Sequence, residues 1–102
     1  LLRLEGFVVH AAFSGTDGIT RARSLHPDAL LLDLHMPDMD GVEVTTVLRE
    51  YPSMQTVAII LLTAESAPIS THGSDAFLTF PIETSTLTTV LRGSIAKRKQ
   101  TR

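Results

Sequence analysis

Cysteine is missing from this chain, which excludes disulfides and thiolate metal sites. There is no excess of basic charge either. Nine Lys and Arg stand against eleven Asp and Glu, a formal net charge of -2, so nothing gathers nucleic acid or a membrane surface by charge alone. Long apolar runs are lacking: Ala29–Leu32 and Val57–Leu62 fall far short of a membrane span. No signal peptide is visible, and the cytoplasm is the expected location. Internal repeats and linkers are absent, and 102 residues suffice for one modest core but not two. The first residue is Leu1 and not Met, so the chain is expected to be processed or part of something longer.

What is present is ordinary for a folded domain: 43% apolar and 20% charged residues, too apolar for disorder. Leu1–Glu5 reads as the last turn of a helix, with Gly6 in the capping position. Phe7–Ala12 is apolar, rich in β-branched residues and bounded by glycines, a short strand. Ser14 with Asp17 resembles a capping box, and Ile19, Ala22 and Leu25 follow at near-helical spacing until Pro27. Ala29–Leu34 is a continuous apolar run with one acid near its end, the pattern of a strand buried on both faces. Met36–Gly41 is turn chemistry, and Asp40 with Glu43 forms a second capping box. Val44, Val47, Leu48 and Tyr51 then share one helical face, and Pro52 ends it. Val57–Leu62 is another buried strand with Thr63 at its carboxyl end. Ala76–Leu78 is a short strand, and Leu87, Val90, Leu91 and Ile95 mark a final amphipathic helix. Lys97, Arg98 and Lys99 suit the negative pole of that helix. Strands alternating with helices predict an α/β fold on a parallel sheet. The crossover Ala64–Asp75 has room for barely one helical turn.

In an open parallel sheet, reactive groups collect at the carboxyl ends of the strands. Asp33, Thr63 and the Phe80-Pro81 step lie there. Two readings of Asp33 stand on composition and spacing: a carboxylate nucleophile, or a strand-end acid that caps backbone amides. His10, His26, His35 and His72 are scattered without ligand spacing. Asp33, Asp38 and Asp40 lack the Gly and terminal Glu of a calcium loop. An aspartate-nucleophile phosphatase would carry its second acid two residues after the first, where this chain has His35. The tail Ala96–Arg102 reads as a solvated helix end or the start of a linker.

The stretch Pro27-Asp28-Ala29-Leu30-Leu31-Leu32-Asp33-Leu34-His35-Met36-Pro37-Asp38-Met39-Asp40-Gly41 closely resembles the signature of response-regulator receiver domains. Leu61-Leu62-Thr63-Ala64 resembles that family's next strand, and Gly73–Pro81 its Gly-x-x-x-aromatic-Leu-x-Lys-Pro segment. The similarity runs in order along nearly the whole chain, so residues 1–102 are expected to be one receiver domain, incomplete at its start. The resemblance implies a flavodoxin-like α/β fold, a parallel sheet with helices on both faces. It implies Asp33 as phosphoacceptor, the His35 backbone carbonyl facing a Mg²⁺ site, and Thr63 and Phe77 as the switch pair. It also implies a sensor histidine kinase as partner, a signalling module and no substrate-turnover enzyme, and nucleic acid met only through an unseen output domain.

Three departures qualify it. The family's first strand and the acidic pair that holds Mg²⁺ have no counterpart here, and Asp33 alone is a poor hard-cation site. Phe80 stands where the family has Lys. The short Ala64–Asp75 crossover truncates a helix of the signalling face. An alternative is therefore a pseudo-receiver that binds protein partners and is never phosphorylated. Two structural expectations follow. Phe80–Pro81 is cis, with the Phe80 ring closing the pocket beside Asp33 and Thr63. Phe7–Ala12 and Ala29–Leu34 pair directly, leaving a four-stranded sheet whose apolar edge at Phe7–Ala12 favours a homodimer.

Overall fold

Leu2–Leu4 is a strand, β1, and not the end of a helix. The computed structural model, which describes residues 2–64 and 73–100, pairs β1 antiparallel with β2, Phe7–Ala12, setting Leu4 opposite Phe7. Their connection is two residues, Glu5 and Gly6, at φ 52° and 87°. Positive φ at both positions is what a tight hairpin requires when its twist matches its strands. A left-handed helix cap and a hairpin turn both want φ above zero, so Gly6 serves either and cannot discriminate. Leu-Arg-Leu likewise fits a period of two as well as a helical turn. The unpaired edge of β2 breaks the tie, because its backbone groups find partners in β1. That edge is therefore covered within the chain, and the reason for expecting a homodimer through it is removed.

Beyond the hairpin, the elements follow the sequence pattern closely. Helix α1 spans Gly15–Leu25, β3 Ala29–Asp33, α2 Gly41–Arg49, β4 Ala58–Thr63, β5 Ala76–Thr79 and α3 Thr84–Gln100, with a short 3-10 turn at Pro52–Met54. The Ser14 hydroxyl accepts the Asp17 N–H at 3.1 Å and starts α1. Its end is His26 in a left-handed conformation, followed by Pro27, which has no N–H to continue a helix. The capping box at Asp40 and Glu43 forms in both directions.

The sheet order is β1-β2-β3-β4-β5, antiparallel only at β1. Strands β2 and β3 pair directly, Val9 with Ala29 through Ala12 with Leu32, as expected, with no strand between them. The expected four-stranded sheet is thus corrected to five. Alternation along the strands sorts the core into two layers. Leu30, Leu32, Ile59 and Leu61 pack with Ala22, Val44 and Leu48 of α1 and α2. Ala29, Leu31, Ala58 and Ile60 pack with Leu91 and Ile95 of α3 on the other face. The expected truncated helix between β4 and β5 falls largely on residues 65–72, outside the described residues.

At the amino ends of the strands, Asp75 is nearly buried between two arginines. It accepts Arg49 Nη2 at 3.0 Å, Arg98 Nε at 2.7 Å and the Ile59 N–H at 2.8 Å. Lys99 lies 2.9 Å from Asp28, whose carboxylate also accepts the Val8 N–H at 2.8 Å. The basic end of α3, expected to be solvated, is instead clamped to the sheet through Arg98 and Lys99. Arg92 forks onto Glu5 and ties the hairpin turn to the same helix.

Candidate functional site

Asp33 is the last residue of β3 and sits half-buried where the apolar strand runs out. The His35 N–H donates to its Oδ1 at 3.1 Å, so the residue two positions on orients the carboxylate. His35 itself is exposed. The chain then turns back, with Gly41 N–H donating to the Leu34 carbonyl at 2.8 Å. A Cβ at Gly41 would lie 2.8 Å from Leu61 Cδ2 and 3.1 Å from the Asp33 carbonyl oxygen. Only glycine fits there, which gives the Gly of the Met-Pro-Asp-Met-Asp-Gly motif a steric reason.

Asp38 holds this loop from the other side. Its carboxylate accepts Gly15 N–H at 2.8 Å, Thr16 N–H at 3.0 Å and the Thr16 hydroxyl at 2.7 Å, all at the amino terminus of α1. The Thr16 hydroxyl first, and then the two backbone amides, hold the Asp38 carboxyl far below the usual carboxylate range. Met39 lies against Gly15, where a Cβ would come within 2.6 Å of it. Sequence reasoning missed this latch. The partners are more than twenty residues apart, and the only local hint is a helix start at Ser14-Gly15-Thr16 with no acid of its own before Asp17.

Thr63 ends β4 and is buried, 1% exposed. Asp33 registers with Leu62 on the neighbouring strand, so Thr63 lies one residue beyond, at the same end of the sheet. Phe77 on β5 registers with Leu61 and packs half-buried against the layer that holds α1 and α2. The Phe80 N–H donates to the Thr63 carbonyl at 2.9 Å, and the Phe80–Pro81 bond is cis, as expected. Phe80 is 47% exposed. The register of the sheet therefore brings Asp33, His35, Thr63 and Phe80 to one end of the strands, while Phe77 lies two residues before Thr79 on β5 and packs in the layer with α1 and α2.

Among the described residues, no three His, Asp or Glu side chains come together as a metal site. Asp33 alone does not meet the octahedral oxygen demand of Mg²⁺, so the described residues do not fit that ion. His10 Nε2 is instead 3.3 Å from Asp17, and His72 lies outside the described residues. No helix among them is long and apolar enough to cross a membrane.

The family model described as response regulator receiver domain matches residues 1–92. The chain belongs to that family. The receiver is 32% identical over 105 residues to the transcriptional regulatory protein PrrA of Mycobacterium leprae, covering 98% of this chain and 44% of the relative. It therefore spans less than half the length of the curated relatives it matches. Its structure is similar to the receiver domain of the sensor histidine kinase PA1611 from Pseudomonas aeruginosa, with a TM-score of 0.75, 26% identity, and coverage of 83% of this chain and 74% of that one. That protein holds a magnesium ion in its active site cleft. The chemotaxis protein CheY4 of Vibrio cholerae shares the fold, with a TM-score of 0.74, 22% identity, and coverage of 85% and 96%. The receiver thus has the flavodoxin-like architecture that its sequence implies, with helices on both faces of the sheet.

Proposed function

We propose that this receiver is the signal-accepting module of a cytoplasmic phosphorelay, with Asp33 as the phosphoacceptor and a sensor histidine kinase as the donor. The observation that carries the reading is Asp33 itself, a half-buried carboxylate at the carboxyl end of a central parallel strand. It is oriented by the His35 N–H and lies at the same end as the Thr63 position. In the transfer, the P–N bond of a donor phosphohistidine breaks and a P–O bond to an Asp33 carboxylate oxygen forms. The donor imidazole then takes up a proton. The module acts as a switch and does not turn over a substrate, since a charge change at one site biases packed elements elsewhere. Any contact with nucleic acid runs through an output domain outside this chain, in line with relatives that are DNA-binding response regulators.

Phosphoryl transfer is positioning plus electrostatic stabilisation. The His35 N–H on Asp33 supports the positioning. The cation is missing, because Phe80 occupies the position of the family's Lys. That observation favours a second reading, in which the same face binds its partner and Asp33 stays unmodified. The test is phosphotransfer from autophosphorylated sensor histidine kinases of the source cell, read by intact mass. An adduct lost in Asp33→Asn supports the proposal, and binding without an adduct supports the second reading. Neither binding nor transfer contradicts both.

A further inference from the structure

The described residues leave three large apolar side chains exposed: Phe13 at 81%, Phe80 at 47% and Leu25 at 38%. Two of the three stand at the carboxyl end of the sheet. Phe13 follows β2, and Phe80 follows β5. Between them run β3 and β4 with Asp33 and Thr63, so the two residues flank the Asp33 position from strands three spacings apart, roughly 14 Å. A bare phenyl ring costs hydration free energy unless something covers it, and aromatic anchors are typical of the residues that dominate protein interfaces.

Charge at this end is one-sided. Residues 13–17, 34–40 and 80–83 contain no Lys or Arg, whereas Asp38, Asp40 and Glu83 lie among them, with Asp33 at the centre; Asp17, also there, is paired with Arg21 at 3.3 Å. Three cations are engaged at the opposite end. Arg49 and Arg98 hold Asp75, and Lys99 holds Asp28.

We propose that the carboxyl-end face, with Phe13 and Phe80 as anchors, docks a protein surface that is apolar at its centre and basic around it. The partner's Lys or Arg side chains supply the positive charge that this chain does not place beside Asp33. Charge complementarity and continuity with the Asp33 site select this occupant. The inference rests on the receiver reading of that site and names the chemistry of its partner.

The test uses the whole protein that carries this chain and, as probes, the purified cytoplasmic parts of the source cell's sensor histidine kinases, with binding followed by surface plasmon resonance. The expected result is that the kinase binding wild type loses affinity by about tenfold or more in each of Phe13→Ser and Phe80→Ser, while Leu25→Ser binds as wild type does. Affinity also falls as salt rises from low to high ionic strength, because opposite charges are being screened. Binding and Asp33 transfer unchanged in both Phe variants would overturn the docking face and leave the receiver reading standing. Affinity that is indifferent to salt would overturn the basic partner. No kinase binding and no transfer would overturn both. Dimers of the wild type that dissociate in the Phe variants would assign the face to a second copy and overturn the proposal. Unchanged thermal unfolding of each variant keeps a folding defect from mimicking lost binding.

Discussion

Replacing Asp75 with Ala removes the anion from the most buried charge cluster of the described residues. Its carboxylate accepts Arg49 Nη2 at 3.0 Å, Arg98 Nε at 2.7 Å and the Ile59 N–H at 2.8 Å. The side chains are 10% exposed at Asp75, 13% at Arg49 and 19% at Arg98. Burial and the neighbouring Arg98 already pull Arg49 down to about 10. Without the carboxylate, two guanidinium groups face one another and the Ile59 N–H loses an acceptor. Removing one side of a buried ion pair costs about 3–5 kcal/mol. Arg98 can swing toward water, so the lower end applies, about 3 kcal/mol. Total stability for a domain of this size is about 5–15 kcal/mol. At roughly 4–8 °C per kcal/mol, Tm falls by about 12–24 °C. Thermal unfolding followed by circular dichroism, with urea unfolding beside it, measures this. Adding Arg49→Leu and Arg98→Leu to Asp75→Ala recovers part of the loss, because replacing a whole buried ion set with apolar groups is often neutral. A Tm drop under about 4 °C, or a triple variant less stable than the single, would show that the Asp75 carboxylate does not hold the two arginines.

Gly41→Ala places a methyl against Leu61 and the Asp33 carbonyl and is expected to cost about 1–3 kcal/mol in urea unfolding, as overpacking does. Asp38 is a group whose folded pKa is lowered, so its contribution is fully present above its unfolded value of about 3.9 and is lost as pH falls below it. The urea midpoint of wild type therefore exceeds that of Asp38→Asn at pH 7, and the two converge as pH drops from about 4 toward 2. Phe80→Lys alone does not raise labelling by a small phosphodonor, since the lysine brings no Mg²⁺ ligands; efficient labelling of that variant, read by intact mass, would show that the metal is unneeded.

Much of this fold was legible because its signals are local. Ser14 and Asp40 announce helix starts through bonds three residues long, and Ala29–Leu34 and Val57–Leu62 read as buried strands because the strands they hold are covered on both faces. The hairpin was not legible. Leu2–Leu4 is too short to have a period, and Gly6 answers to two different turns. Asp33 and Thr63 were found by motif and by their place at strand ends. Asp38 and Asp75 were not, since each acts through partners brought close only by the sheet: Asp38 at the start of α1, Asp75 between α2 and α3. The basic run at the end of α3 misled for the same reason, its acids lying at positions 28 and 75.

If Asp33 accepts a phosphoryl group with the positive charge drawn from its partner, the identity of the donor decides whether it is labelled. Two donors compared side by side on the same protein test this most directly, with peptide mass mapping of the product. The expected result is an adduct on Asp33 from an autophosphorylated kinase, absent in Asp33→Asn, and little or none from a small phosphodonor with Mg²⁺. Stoichiometric labelling of Asp33 by the small donor alone, or a kinase-driven adduct that survives in Asp33→Asn, would contradict it.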